Sequence, residues 1–345
     1  MSTQPAVTDS KHPAIRDEIR RRICRGDVGE QLPSIRSVAQ EFGVHSITAA
    51  KALDALVKEG LVRGVPRKGY FVVRRKVRTV LMLVYGGDLG TGFYGELTRI
   101  LVEAMPRFHL RHQVLPKGSG AKGQDFPAAA DLPATKGTAV LTVGVQDRDY
   151  ILSLMDAGFP TVALDYVSTD PAISAVGVDN IAAASEATRH LIESGCRDVV
   201  YMGHRRGART EVDALLLEAG YRIAMEEAGL RPRSCFARGT DAVSGAEALA
   251  GLLGAGGAPD AVFSSNPSMV PGIGRCCEAR GLEPPREVVT LDFLHEYPEL
   301  TTVRIDMERF CATALDLLRQ LAGSGGGSPR QILVPTRLVK KGRER

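Results

Sequence analysis

Residues 32–73 read LPSIRSVAQEFGVHSITAAKALDALVKEGLVRGVPRKGYFVV, and the rest of the chain is organised around them. Ser34 can cap a first helix, because its hydroxyl accepts from the orphan N–H groups of the turn that follows, and Ile35, Val38, Ala39 and Phe42 then recur at helical spacing. Gly43 ends that helix. A second helix starts near His45 or Ser46 and turns Ala49, Ala52, Leu53, Leu56 and Val57 inward. His45, Ser46, Thr48 and Lys51 are left on or near its open face and N-terminal half, the part of a recognition helix that meets base edges. After Gly60, the residues Leu61–Arg63 and Tyr70–Val73 predict two strands joined by the basic turn Gly64-Val65-Pro66-Arg67-Lys68-Gly69. Two short helices about a glycine turn, followed by a basic hairpin suited to a phosphate backbone, are the layout of a winged helix-turn-helix.

Charge supports this reading. Residues 1–76 hold 15 Lys or Arg against 8 Asp or Glu, net +7, whereas the remainder holds 29 against 32, net −3. All of the net positive charge sits on one small domain, the footprint of a protein facing a polyanion. The segment Pro13 to Val73, with a leading helix Pro13–Arg25 that lines up Ile15, Ile19 and Ile23, resembles the DNA-binding domain of the GntR family of bacterial transcription regulators. That resemblance implies contacts to double-stranded DNA at Arg36 in the LPSxRxxA motif, at Thr48 and Lys51 in the recognition helix, and at Lys68 and Gly69 in the wing. His45, Ser46 and Arg67 complete the candidate set by their places on the helix and the wing. Where the family usually has arginine early in the recognition helix this chain has Ser46, which cannot make a bidentate contact to guanine, so the resemblance does not set the operator sequence.

The 345 residues, 44% hydrophobic and 24% charged, suit two to three globular domains. The lead MSTQPAVTDSKHP has neither an apolar segment nor a cleavage signal, and no run approaches the roughly 20 apolar residues of a membrane span. A disordered lead over residues 1–12, a cytoplasmic location and no membrane partner are expected. Six cysteines, Cys24, Cys196, Cys235, Cys276, Cys277 and Cys311, lack metal-ligand spacing and are expected as buried thiols, with neither metal nor cofactor.

A short basic linker, residues 74–78, leads into Thr79-Val80-Leu81-Met82-Leu83-Val84-Tyr85, an apolar run of the kind buried on both faces of a parallel sheet. Strand-like and helix-like segments then alternate, with strands at Arg111–Leu115, Ala139–Val143, Thr161–Asp165, Ala175–Val178, Asp198–Met202, Ser234–Arg238, Ala261–Ser264 and Val288–Asp292. The fold class is therefore α/β: an N-terminal winged helix-turn-helix followed by a two-lobed, doubly wound sensor domain. Gly118–Gly123 matches a GxGxxG pattern by letter but precedes Gln124-Asp125-Phe126-Pro127 rather than a helix, so it reads as a loop. Gly323–Pro329 reads as a linker. No Ser/His/Asp order, metal spacing or phosphate loop gives catalysis a foothold.

Val176-Gly177-Val178-Asp179-Asn180, the helix with His190-Leu191, and Gly195-Cys196-Arg197-Asp198-Val199-Val200-Tyr201-Met202-Gly203 resemble the corresponding run of the lactose-repressor family. So do Pro259–Asn266, Val288–Asp292 and the Leu300-Thr301-Thr302-Val303 segment with the helix from Met307. The resemblance, over residues 77–339, implies a periplasmic-binding-protein-like effector domain at 79–340, with lobes about 79–180 plus 306–323 and 181–305 plus 329–340 and a ligand cleft between them. It puts a carbohydrate-like small-molecule effector at Asp165, Asn266 and Asp292, each of which could instead be a cap or turn residue. Asn266 is followed by Pro267 where the family has Asp, and the family's arginine ahead of Gly220 falls on Leu215, so Arg205 or Arg209 would have to supply the missing cation. The whole predicts a homodimeric transcription regulator, with repression relieved by ligand. Two rivals stand beside it: a ligand-binding protein without DNA contact, favoured by Ser46, and a regulator fused to an enzyme-like domain.

Overall fold

The computed structural model describes the chain except for residues 1–10, 26–27, 74–76, 85–91, 109–110, 117–126, 134–136, 168–169, 205–211, 254–257, 295, 324–328 and 342–345. Residues 1–10 of the expected lead, most of the 74–78 linker, the Gly118–Gly123 loop, most of the Gly323–Pro329 run, and both Arg205 and Arg209 lie outside the described residues. The chain divides into two compact units, one of residues 1–176 and 311–332, the other of residues 177–310 and 333–345.

The N-terminal part of the first unit is three helices and a hairpin. Helix α1 (His12–Arg25) points Ile15, Ile19 and Ile23 into a core shared with α2 (Ile35–Glu41) and α3 (Ser46–Lys58), where Val38, Ala39, Ala49, Ala52, Leu53 and Leu56 are buried. Ser34 caps α2 by accepting from the Ser37 amide at 3.1 Å, and Gly43 turns the chain at φ 60°. Val57 corrects the expected core: it is 37% exposed, because one residue past Leu56 is already on the flank of the helix. Charge pairing pins α1. The Arg20 guanidinium grips the Glu59 carboxylate, just past the end of α3, at 2.7 and 3.1 Å, and Arg22 bridges Glu18 and Glu41 at 2.9 and 2.5 Å.

The wing is tighter than its sequence suggests. Strands β1 (Val62–Val65) and β2 (Gly69–Val72) pair antiparallel, so Gly64 lies inside a strand opposite Tyr70. The turn is Val65-Pro66-Arg67-Lys68, closed by the Lys68 amide on the Val65 carbonyl at 3.0 Å. Pro66 sets its first corner, while Arg67 takes the left-handed second corner at φ 62°, where glycine is usual. On the far edge of β2, residues 30–32 add a short third strand through Val72 N–H to the Glu30 carbonyl and Leu32 N–H to the Tyr70 carbonyl, both 2.9 Å.

The rest of the first unit is a parallel sheet. Its elements are β3 (Thr79–Val84), α4 (Gly92–Ala104), β4 (Arg111–Pro116), β5 (Thr138–Val143), α5 (Arg148–Asp156), β6 (Thr161–Leu164) and β7 (Ala175–Val178). The second unit repeats the plan with α6 (Asn180–Glu193), β8 (Val199–His204), α7 (Val212–Glu227), β9 (Arg233–Ala237), α8 (Ala242–Leu253), β10 (Ala261–Ser264), α9 (Val270–Glu278), β11 (Glu287–Leu291) and β12 (Thr301–Ile305). Helix α10 (Met307–Gly323) and strands β13 (Gln331–Val334) and β14 (Thr336–Val339) close the chain.

Strand order is β13-β7-β6-β5-β3-β4 in one sheet and β14-β12-β11-β10-β8-β9 in the other, the doubly wound pattern expected. Val80 to Val84 are essentially fully buried, as a strand covered on both faces requires. In the second unit α6 and α7 approach closely at Gly220, where a Cβ would stand 2.3 Å from the Ile181 carbonyl oxygen. Gly220→Ala should therefore force the two helices apart and destabilise the protein by about 1–3 kcal/mol, measured by urea unfolding.

Candidate functional site

On the helix-turn-helix, most of the basic residues of α1 are consumed internally. Arg16, Arg20, Arg21 and Arg22 all pair with Asp17, Glu18, Glu41 or Glu59, and the Arg22 guanidinium holds the Glu18 carboxyl below its usual range. The domain's net charge therefore overstates α1 as a phosphate surface. By contrast Arg36, Lys51, Arg67 and Lys68 are exposed and make no ion pair among the described residues. Arg36 sits in the first turn of α2, and Lys51 in the second turn of α3. His45 caps α3 by backbone alone and is exposed, as is Ser46, while Thr48 is half-buried.

The wing is held against α3 by the Tyr70 hydroxyl, which donates to Asp54 at 2.9 Å. Gln31 donates to the Lys68 carbonyl at 2.8 Å, fixing the turn that carries Arg67, Lys68 and Gly69. Gly69, at φ 102°, lets the chain leave that turn, where a Cβ would press to 3.4 Å on the Gln31 amide. Arg63 lies over the Phe71 ring at 5.3 Å on the outer face of the hairpin. Sequence reasoning missed Ile47, 71% exposed on the open face of α3, although its place two residues before Ala49, about 200° around the helix from the Ala49–Leu53 core stripe, could have revealed it.

In the sensor, polar side chains gather where the buried strands end. The register pairs Val143 with Leu164, which sets Gly144 beside Asp165 just past β5 and β6. Asp165 takes a left-handed φ of 57°, accepts from the Tyr94 hydroxyl at 3.0 Å through its carboxylate, and accepts from the Gln146 amide at 2.8 Å through its carbonyl. The Tyr94 ring covers Gly144 so closely that a Cβ there would stand 2.4 Å from it. Asp147 then caps α5 by accepting from the Tyr150 amide at 2.9 Å.

The second unit has a matching row. Met202, Ser264 and Thr290 are register partners, so His204, Asn266 and Asp292, each two residues further on, follow in step at the end of β8 and just past the ends of β10 and β11. His204 Nδ1 lies 3.3 Å from the Ser265 hydroxyl. Asn266 spends its side-chain oxygen on the Ser268 amide at 2.9 Å, and Asp292, 1% exposed, accepts from the Glu296 and Tyr297 amides at 3.1 Å each. The structure thus gives both residues the cap-and-turn bonds that were the alternative to ligand contact. Tyr94, Gln146 and His204 are the polar neighbours that sequence reasoning did not single out; only the strand register brings them into the two rows.

Residues 12–72 match the bacterial regulatory proteins of the gntR family, and residues 188–342 match the periplasmic binding protein-like domain. The HTH-type transcriptional regulator GntR of Pseudomonas aeruginosa is 24% identical over 318 residues, 84% of this chain and 90% of that protein. The solved transcriptional regulator CelR–cellobiose complex superposes with a TM-score of 0.62 at 22% identity, over 90% of this chain and all of CelR. The lac repressor dimer bound to operator and the anti-inducer ONPF superposes with a TM-score of 0.62 at 21% identity, over 76% of this chain and 93% of the repressor.

The chain is a DNA-binding transcription regulator. Its N-terminal domain matches the gntR-type helix-turn-helix, and the part of the chain that follows carries the match to the periplasmic binding protein-like domain. The matched relatives are regulators rather than enzymes. Among the described residues, no helix is long and apolar enough to cross a membrane.

Arg36→Ala and Lys68→Ala should each weaken DNA binding and lower the salt slope by about 1, with the melting temperature unchanged, as read by fluorescence anisotropy across a salt series. Asp292→Ala, which strands two backbone amides, should destabilise the ligand-free protein by about 1–3 kcal/mol in thermal or urea unfolding.

Proposed function

We propose that two copies of this chain bind a roughly palindromic double-stranded operator through α3 and the wing, and that a carbohydrate-like effector releases them. Operator contacts are assigned to Arg36, His45, Ser46, Thr48, Lys51, Arg67, Lys68 and Gly69. The effector half is supported in each unit by itself, by a polar row at the strand ends: Asp165 with Tyr94 and Gln146 in the first unit, His204 with Asn266 and Asp292 in the second. Vicinal hydroxyls need acceptors and donors at fixed spacing, and a rigid strand register supplies that spacing. The likeness of fold to a regulator solved with cellobiose supports the same chemistry. Arg205 and Arg209, outside the described residues, are proposed as the cationic part of the site.

A physical route for the signal exists within the first unit. Gln146 and Asp147 lead directly into α5, α5 packs against α1, and α1 packs against α3. An effector that repositions the start of α5 would tilt α1 and so α3, with a coupling of about 1–3 kcal/mol. The protein works in the cytoplasm by binding and not by turnover.

A thermal-shift series against sugars, sugar acids and sugar phosphates tests this, since a ligand at 100 times its Kd should add about 2.7 kcal/mol of stability. Asp165→Asn, which keeps an acceptor for Tyr94, should reduce that gain without altering the ligand-free protein. A sugar that stabilises the variant and the native protein equally would place the effector elsewhere.

A further inference from the structure

We propose that Ile47 is a specificity residue of the recognition helix, and that it reads the 5-methyl group of a thymine in each operator half-site. The inference rests on the operator-binding reading and goes beyond it by naming a base. Ala49, Ala52, Leu53 and Leu56 are fully buried on one side of α3. Ile47, in the first turn, projects from the opposite side at 71% exposure, the most exposed large hydrophobic residue among those described. Lys51, four residues on, shares that face and is also exposed.

An isoleucine there adds little to the fold: it is 71% exposed and outside the buried core of the domain, and a β-branched side chain is a poorer helix former than alanine. Its neighbours Ser46, Thr48 and Ala50 are short, so Ile47 stands proud of them at the end of the helix that enters the groove. Guanine readout at this end would need a long donor at position 46, 47 or 50, and none of the three supplies one. Thymine, through its C5-methyl, is the base that offers an apolar group on the major-groove edge. The exposed cations around the patch, Arg36, Lys51, Arg67 and Lys68, fit phosphates on either side and leave the aliphatic surface to meet a base.

The test uses the full chain and a pool of duplexes with a randomised core of about two helical turns. Sites enriched from the pool are resynthesised with each thymine in turn replaced by deoxyuridine, which keeps the base pair and removes only the methyl. Withdrawing one buried methyl corresponds to about a four-fold change in affinity. Deoxyuridine at one position per half-site is expected to weaken the native protein by about three- to ten-fold. Ile47→Ala should lose affinity on the thymine site and bind the thymine and deoxyuridine sites equally. Because the side chain is mostly exposed, the variant should melt close to the native temperature.

The inference is overturned if no thymine in the enriched sites is sensitive to loss of its methyl, or if Ile47→Ala shows the same sensitivity as the native protein. Failure to enrich any duplex, with Arg36→Ala behaving like the native chain, would instead overturn the operator-binding reading and this inference with it.

Discussion

Strands β3, β5 and β6, and their counterparts β8, β10 and β11, are covered on both faces, so most side chains along them are apolar and buried, with threonines such as Thr142 and Thr290 among the few polar ones. A strand in that position can present polar chemistry only where it stops, because an unpaired polar group in the middle would forfeit its hydration with nothing in return. Parallel pairing makes the stops coincide. Once Val143 is paired with Leu164, and Ser264 with Met202 and Thr290, the residues just beyond are set level with one another. Asp165, His204, Asn266 and Asp292 are brought to the strand ends by this constraint, and their spacing belongs to the sheet rather than to any loop.

The DNA-binding domain solves a different problem with few residues. Its core is small, and the orientation of α3 depends on charge as well as packing: Arg20 on Glu59 clamps the end of α3 to α1, and Tyr70 on Asp54 clamps its outer side to the wing. These bonds divide the basic residues into two populations. Arg16, Arg20, Arg21 and Arg22 of α1 are neutralised by neighbours, while the basic residues of α2, α3 and the wing tip stay exposed. Arg67 accepts a left-handed backbone at the tip, a conformation that costs a non-glycine residue on the order of 1 kcal/mol and holds its charge at the end of the hairpin.

The sensor and the reader share one structural unit, in which α5 touches α1. Helix α5 starts immediately after Gln146, whose amide holds the strained Asp165, and Asp147 caps it. A helix anchored at one end by the strand-end cluster and in contact with α1 can transmit a displacement because helices move as rigid bodies and cores are not continuously deformable.

Local chemistry in the sequence determined the elements and their type. Helical spacing from Ile35 to Leu56, the Ser34 cap, the Gly43 turn, the apolar run from Thr79 and the strand–helix alternation each depend on a few adjacent residues, which is why they are legible without coordinates. Tertiary structure decided what those residues face. That Val57 is exposed, that residues 30–32 extend the wing, that Arg20 and Arg22 are spent on Glu59, Glu18 and Glu41, and that Asp292 holds a loop are consequences of how the segments pack. The candidate sites divide in the same way. Arg36, Lys51 and Lys68 belong to a contiguous motif and could be read from it, whereas Tyr94, Gln146 and Asp165 come together across 71 positions of chain only because parallel strands end at the same level.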